Sequence, residues 1–122
     1  GVTLFLSPAS AKYDPQSFVN TASAAGSVVR VVNSPALMLL HDVTEMQPME
    51  GQVLGAIRKY RDLIGYVHIG TGTAASSPSA QEIDLQRLKK VLSEELGYNG
   101  FVGFECRGDG NTAACLEEIR AL

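Results

Sequence analysis

The chain has 122 residues, 45% of them hydrophobic, with 10 Lys and Arg against 13 Asp and Glu and a net charge of -3. That size and balance suit one folded segment, residues 1–122, and exclude fibrous and disordered classes. The positive charges are scattered and give no basic face for a phosphate backbone, so no nucleic-acid partner is expected.

The first element, residues 2–6 (VTLFL), is a continuous apolar run ended by Ser7 and Pro8, as in a strand buried on both faces. Asp14 before Pro15 reads as an N-cap and first helical residue, and Phe18, Val19, Ala22, Ala25, Val28, Val29 and Val32 follow at helical spacing, which predicts a helix over residues 15–32. A second strand covers residues 36–40, followed by His41 and Asp42. A second helix is predicted over residues 50–63 from Val53, Leu54, Ile57, Tyr60, Leu63 and Ile64, with Gly65 closing it. The third unit has a strand at residues 66–69, a loop rich in Gly, Ser and Thr over residues 70–81, and a helix capped by Asp84 and closed by Gly97. The fourth strand is residues 101–104, ending at Glu105, and a last helix covers residues 112–121.

Strand starts near positions 2, 36, 66 and 101 are about 30 to 35 residues apart, the length of one strand-helix unit. The fold class is therefore α/β, a (βα)4 chain of parallel strands with outer helices. Two closures fit the pattern: an open doubly wound sheet, or an arc of a (β/α)8 barrel, which needs about 250 residues. No apolar run approaches the ~20 residues needed to cross a bilayer, so no membrane partner is expected and the chain reads as cytoplasmic or organellar. Cys106 and Cys115 are too few for a disulfide framework, and reduced thiols are expected. Gly1 in place of Met reads as the start of a fragment or processed piece.

In a parallel α/β sheet the reactive side chains gather at the carboxyl ends of the strands. Those ends hold Ser7, Asp42, His68 and Glu105. Two carboxylates and an imidazole suit a divalent metal, Mg or Mn, with Asp42, His68 and Glu105 as ligands, and no organic cofactor is expected. A cation with a carboxylate base fits proton abstraction beside a carbonyl, the step of aldose-ketose isomerisation. Ser7 can hydrogen-bond a substrate but is no base unaided. Gly70 to Ala75 formally match the dinucleotide pattern, but Ser76, Ser77 and Pro78 follow where a helix should start, so the segment reads as a loop over the cleft. Arg107, just past Glu105, is either a substrate-carboxylate contact or a solvated side chain.

Residues 39–51 (LLHDVTEMQPMEG), 64–69 (IGYVHI), 96–105 (LGYNGFVGFE), 108–112 and 14–21 (DPQSFVNT) together resemble the carboxyl-terminal half of hydroxypyruvate isomerases, in the xylose-isomerase-like barrel superfamily. The resemblance implies the last four units of a (β/α)8 barrel, and so a complementary half-barrel as partner. It also implies a small hydroxy-carbonyl acid or sugar as substrate and a place in carbohydrate metabolism. Asp42 matches the family's metal-binding Asp, His68 its Gln or His, and Glu105 its final catalytic Glu. Ser7 stands where the other catalytic Glu is expected, Glu45 where a His is common, and Glu82 at the Glu after the third-strand loop, so Ser7, Glu45, Glu82 and Arg107 are the expected substrate contacts. The reading is an isomerase converting hydroxypyruvate to tartronate semialdehyde. The alternative is a degenerate barrel segment that binds or scaffolds, because Ser7 replaces a Glu.

Overall fold

Period-2 alternation along each strand sorts the apolar side chains onto two faces, and only one of these faces is covered by helices. The computed structural model describes residues 1–12, 14–70, 83–106 and 112–122. Strands β1 (Leu4–Leu6), β2 (Leu37–Asp42), β3 (Ile64–Gly70) and β4 (Phe101–Glu105) form a four-stranded sheet in the order β1-β2-β3-β4. All three pairings are parallel. The helices are α1 (Ala22–Val32), α2 (Val43–Glu50), α3 (Val53–Tyr60), α4 (Leu85–Lys90), which continues as a π-helical turn over Val91–Glu95, and α5 (Thr112–Ala121).

The outer face of the sheet, through Leu39, Val67 and Ile69, packs with Ala22, Ala25 and Val29 of α1, Val53, Ile57 and Tyr60 of α3, and Leu85 and Leu88 of α4 in one apolar core. The inner face is set by the register. Phe5 pairs with Met38, Leu40 with Tyr66, Tyr66 with Phe101, Asp42 with His68, His68 with Gly103, and Gly70 with Glu105. Along it runs a train of rings, Phe5 to Tyr66 at 5.7 Å and Tyr66 to Phe101 at 6.3 Å between centroids. Phe101 is 72% exposed. Helices on one face and a bare aromatic face on the other are the layout of a barrel arc, since a doubly wound sheet carries helices on both faces. The open choice between closures is thereby decided. Gly65 permits the close approach inside the arc: a Cβ there would lie 2.7 Å from Met38 Sδ and 2.7 Å from Phe5 Cε1.

Several expected boundaries are corrected. The helix predicted over residues 15–32 begins only at Ala22, because Thr21 is the true N-cap, its Oγ1 accepting from Ala24 N at 3.1 Å. Asp14 instead accepts from Gln16 N at 3.2 Å in a local turn, and Phe18 is left 94% exposed. The helix predicted over residues 50–63 is two helices, α2 and α3, broken at Gly51 with φ 65°. Gly65 lies within β3 rather than at a helix end. Asp84 caps α4 through Arg87 N at 2.9 Å, and Gly97 takes φ 57°, both as expected. The cysteines are not free: Cys106 and Cys115 form a disulfide with Cα atoms 6.8 Å apart, because the start of α5 returns to the end of β4. The loop expected over the cleft falls, from residue 71 onward, outside the described residues. Among the described residues no helix is long and apolar enough to cross a membrane.

Leu39 is fully buried at the centre of this core, whereas Val31 is 86% exposed on α1. Leu39→Ala is expected to cost about 2–5 kcal/mol, and Val31→Ala less than about 0.5 kcal/mol, in denaturant titration.

Candidate functional site

The carboxyl ends of β2, β3 and β4 bring Asp42, His68 and Glu105 together in a row. Asp42 closes β2 and opens α2, so its carboxylate sits between two elements. Its Oδ1 accepts from Glu45 N at 2.8 Å, capping α2, and its Oδ2 lies 2.6 Å from His68 Nδ1. Asp42 is 8% exposed, so the contact forms largely out of water. The imidazole turns its other nitrogen toward β4, with Nε2 3.9 Å from Glu105 Oε2. Glu105 is exposed and can move toward a bound molecule. Tyr66 lines the floor below, its ring centroid 6.5 Å from that of His68.

The site is braced from the sides. The Thr44 hydroxyl donates to Gly70 O at 2.7 Å and accepts from Gly70 N at 2.9 Å, tying the start of α2 to the end of β3. Glu45, in the first turn of α2, reaches back to the loop after β1, where its Oε2 accepts from the buried Ser10 N at 3.1 Å. Burial pushes the Glu45 carboxyl above the ordinary carboxylate range, and the charge of Asp42 adds to this, while the Ser10 amide, His68 and Lys12 oppose it.

Asp42, His68, Glu105 and Glu45 therefore converge, and Ser7 stands exposed at the end of β1. Glu82 and Arg107 lie outside the described residues. Sequence reasoning missed Thr44 and Ser10, together with the helix α2 that carries Thr44. The signal for α2 was the Asp-x-x-Glu spacing of Asp42 and Glu45, which matches a helix start.

The donor types suit a divalent cation, but the placement of the side chains does not. One imidazole offers one ion only one nitrogen, and here Nδ1 faces Asp42 while Nε2 faces Glu105. Among the described residues no group of three His, Cys, Asp or Glu side chains is disposed around a common point for a metal ion. As placed, His68 is hydrogen-bonded to Asp42 at Nδ1 and lies 3.9 Å from Glu105 at Nε2, so the three stand in a row rather than around a common point.

A homologue in Mus musculus named for hydroxypyruvate isomerase activity is 35% identical over 109 residues, covering 88% of this chain and 39% of that protein. The chain belongs to the hydroxypyruvate isomerase family. It spans about two fifths of the length of the curated relatives it matches, 39% for each of the first three. A 2-oxo-tetronate isomerase of Cupriavidus necator is 29% identical over 118 residues, covering 95% of this chain and 44% of that protein. Among solved structures, one described as an AP endonuclease, family 2, from Brucella melitensis superposes with a TM-score of 0.88 at 26% identity, over 99% of this chain and 46% of that one. No protein-family model matches the chain. The (βα)4 sheet is thus part of a (β/α)8 barrel.

Two predictions follow from the two adjacent residues of β2. Asp42→Ala should cost about 1 kcal/mol through loss of the α2 cap, and Asp42→Asn, which retains a capping oxygen, should cost less in thermal unfolding. His41 is fully buried on the outer face, and among the described residues neither ring nitrogen has a hydrogen-bond partner. Burial pulls its pKa down from 6.5 to about 4, against the opposing charge of Asp42. The unfolded chain then binds a proton that the folded chain refuses, so stability is unaffected above about pH 6.5 and falls as pH drops toward 4, by on the order of 3 kcal/mol. His41→Leu should flatten that part of the stability-pH curve.

Proposed function

We propose that this chain carries the proton-transfer site of an isomerase acting on a small hydroxy-carbonyl acid, converting hydroxypyruvate to tartronate semialdehyde. The observation that carries the reading is the row Asp42, His68, Glu105 at the strand ends, with one carboxylate buried and bonded and the other exposed. The names of the relatives add support, because both describe isomerases of short oxo acids.

The chemistry asks for three things. A carboxylate must remove a proton from C3 of hydroxypyruvate, giving an enediolate; the hydroxyl proton must pass from O3 to O2; and a proton must return to C2. Glu105 is exposed and near the imidazole, which suits it to the first task. His68, held at Nδ1 by Asp42, presents Nε2 to the hollow, where it can bridge O2 and O3 and carry a proton between them. Asp42 orients the ring through Oδ2 while its Oδ1 caps α2. A divalent metal, Mg or Mn, would polarise the substrate carbonyl if the three side chains regrouped around it.

The inner face of Phe5, Tyr66 and Phe101 supports a complementary half-barrel as the structure that closes the site, since a single arc leaves Phe5 and Phe101 exposed. A second reading, a binding or scaffolding segment without turnover, is favoured by one observation, the serine at the end of β1. The two readings separate on one measurement in the complete protein. Glu105→Gln should lower the rate of tartronate semialdehyde formation by about 10²–10⁴-fold. A wild-type protein without turnover, or a variant with unchanged turnover, would leave the binding reading.

A further inference from the structure

Glu105 is placed by its backbone rather than by its side chain. The side chain is 75% exposed, and its approach to His68 Nε2, at 3.9 Å, is too long for a hydrogen bond. On one side β4 is held by its ladder with β3, where Gly70 pairs with Glu105. On the other side β4 is an edge of the described sheet and has no ladder. The next residue supplies a second hold. Cys106 is disulfide-bonded to Cys115, nine residues on, which ties the end of β4 to the first half of α5. Cys115 is 3% exposed and is the residue through which α5 is buried, so the helix side of the bond is anchored. Cys106 is only half-buried, which leaves its sulfur open to a small thiol.

We propose that the Cys106–Cys115 pair is a reversible thiol–disulfide site that positions Glu105: the oxidised form holds the carboxylate in the row with His68 and Asp42, and the reduced form releases it. For its effect on rate the inference rests on the isomerase reading given above. The chemistry balances with a dithiol as reductant. One thiolate of the dithiol attacks Sγ of Cys106, forming a mixed disulfide and expelling the Cys115 thiolate, which takes up a proton. The second thiolate then closes on its own partner sulfur, forming the cyclic disulfide of the reductant and expelling the Cys106 thiolate, which is protonated in turn. Two electrons and two protons pass from the dithiol to the protein, and oxidised glutathione reverses the change. Neither cysteine touches substrate. Both are positioning residues that act through the backbone of β4, and a misplacement of about 1 Å at a reacting group costs up to about 100-fold in rate.

The test compares the complete protein purified without reductant, the same protein after dithiothreitol, and the reduced protein after oxidised glutathione. Alkylation with iodoacetamide, read by peptide mass, is expected to leave Cys106 and Cys115 unlabelled before reduction and to label both after it. Reduction is expected to lower kcat on hydroxypyruvate by about 10–100-fold with KM little changed, to speed amide exchange over residues 101–105, and to be undone by reoxidation. Cys115→Ser should show the lowered kcat with or without dithiothreitol, and Cys106→Ser makes the same comparison if that variant does not fold. Thiols that label without reduction would overturn the proposal. So would a reduced protein that keeps kcat within about twofold while its Tm falls, the behaviour of a purely structural cross-link. A wild type inactive in both states would overturn the isomerase reading; faster exchange over residues 101–105 on reduction would then still support the redox site, and unchanged exchange would overturn it as well.

Discussion

The two oxygens of Asp42 point to two different elements, and most of the site depends on that division. Oδ1 starts α2 by accepting from Glu45 N, and Oδ2 holds the His68 ring of the neighbouring strand. A single buried carboxylate thereby sets where a helix begins, which way an imidazole faces and, through the first turn of α2, where Glu45 can reach. Thr44 completes the join by bonding both the N–H and the C=O of Gly70. The strand ends are consequently locked to one another by side chains, in addition to the sheet ladder. A hydrogen bond to a charged acceptor in such a place is stronger than one between neutral groups.

The sheet divides its labour between faces. Outward residues of β2 and β3 meet the helices and build the core, while inward residues carry rings and the polar row. His41 and Asp42 are consecutive and so lie on opposite faces, and their environments diverge accordingly. His41 is enclosed by apolar packing without a partner among the described residues and is held neutral, whereas Asp42 is satisfied twice over. An unpartnered imidazole in the core costs stability without any evident structural return. The exposed rings Phe5 and Phe101 and the free edges of β1 and β4 belong to the same logic: they are the surfaces that a closed barrel would bury.

Much of this was legible in the residue order. Continuous apolar runs marked all four strands, although burial on both faces, expected of the first, does not hold: β1 and β4 lie at the sheet edges and Leu4 and Phe101 are 64% and 72% exposed. Asp84 and Gly97 were correctly read as helix limits because caps act locally. The readings that failed were those in which a local signal met a stronger competitor. Asp14-Pro15 looks like a helix start, but Thr21, nearer the buried stripe of Ala22, Ala25 and Val29, takes that role. Helix α2 was invisible to periodicity because it buries only Val43 and Met46, so it has almost no apolar stripe to detect. Gly65 looked like a helix stop because glycine often is one, yet here it makes room for Met38 and Phe5.

The sequence by itself determined the repeat, the parallel sheet and which polar residues end each strand, since these follow from short-range periodicity and from the rule that a strand stops where burial stops. Tertiary structure alone decided that the helices lie on one face, that Cys106 meets Cys115, and that the imidazole turns one nitrogen to Asp42 and the other to Glu105. It also decided that Glu45 leans away from its own helix toward Ser10, 35 residues earlier. Such contacts join residues far apart along the chain. They depend on strand register and helix placement, which no local pattern of residues encodes.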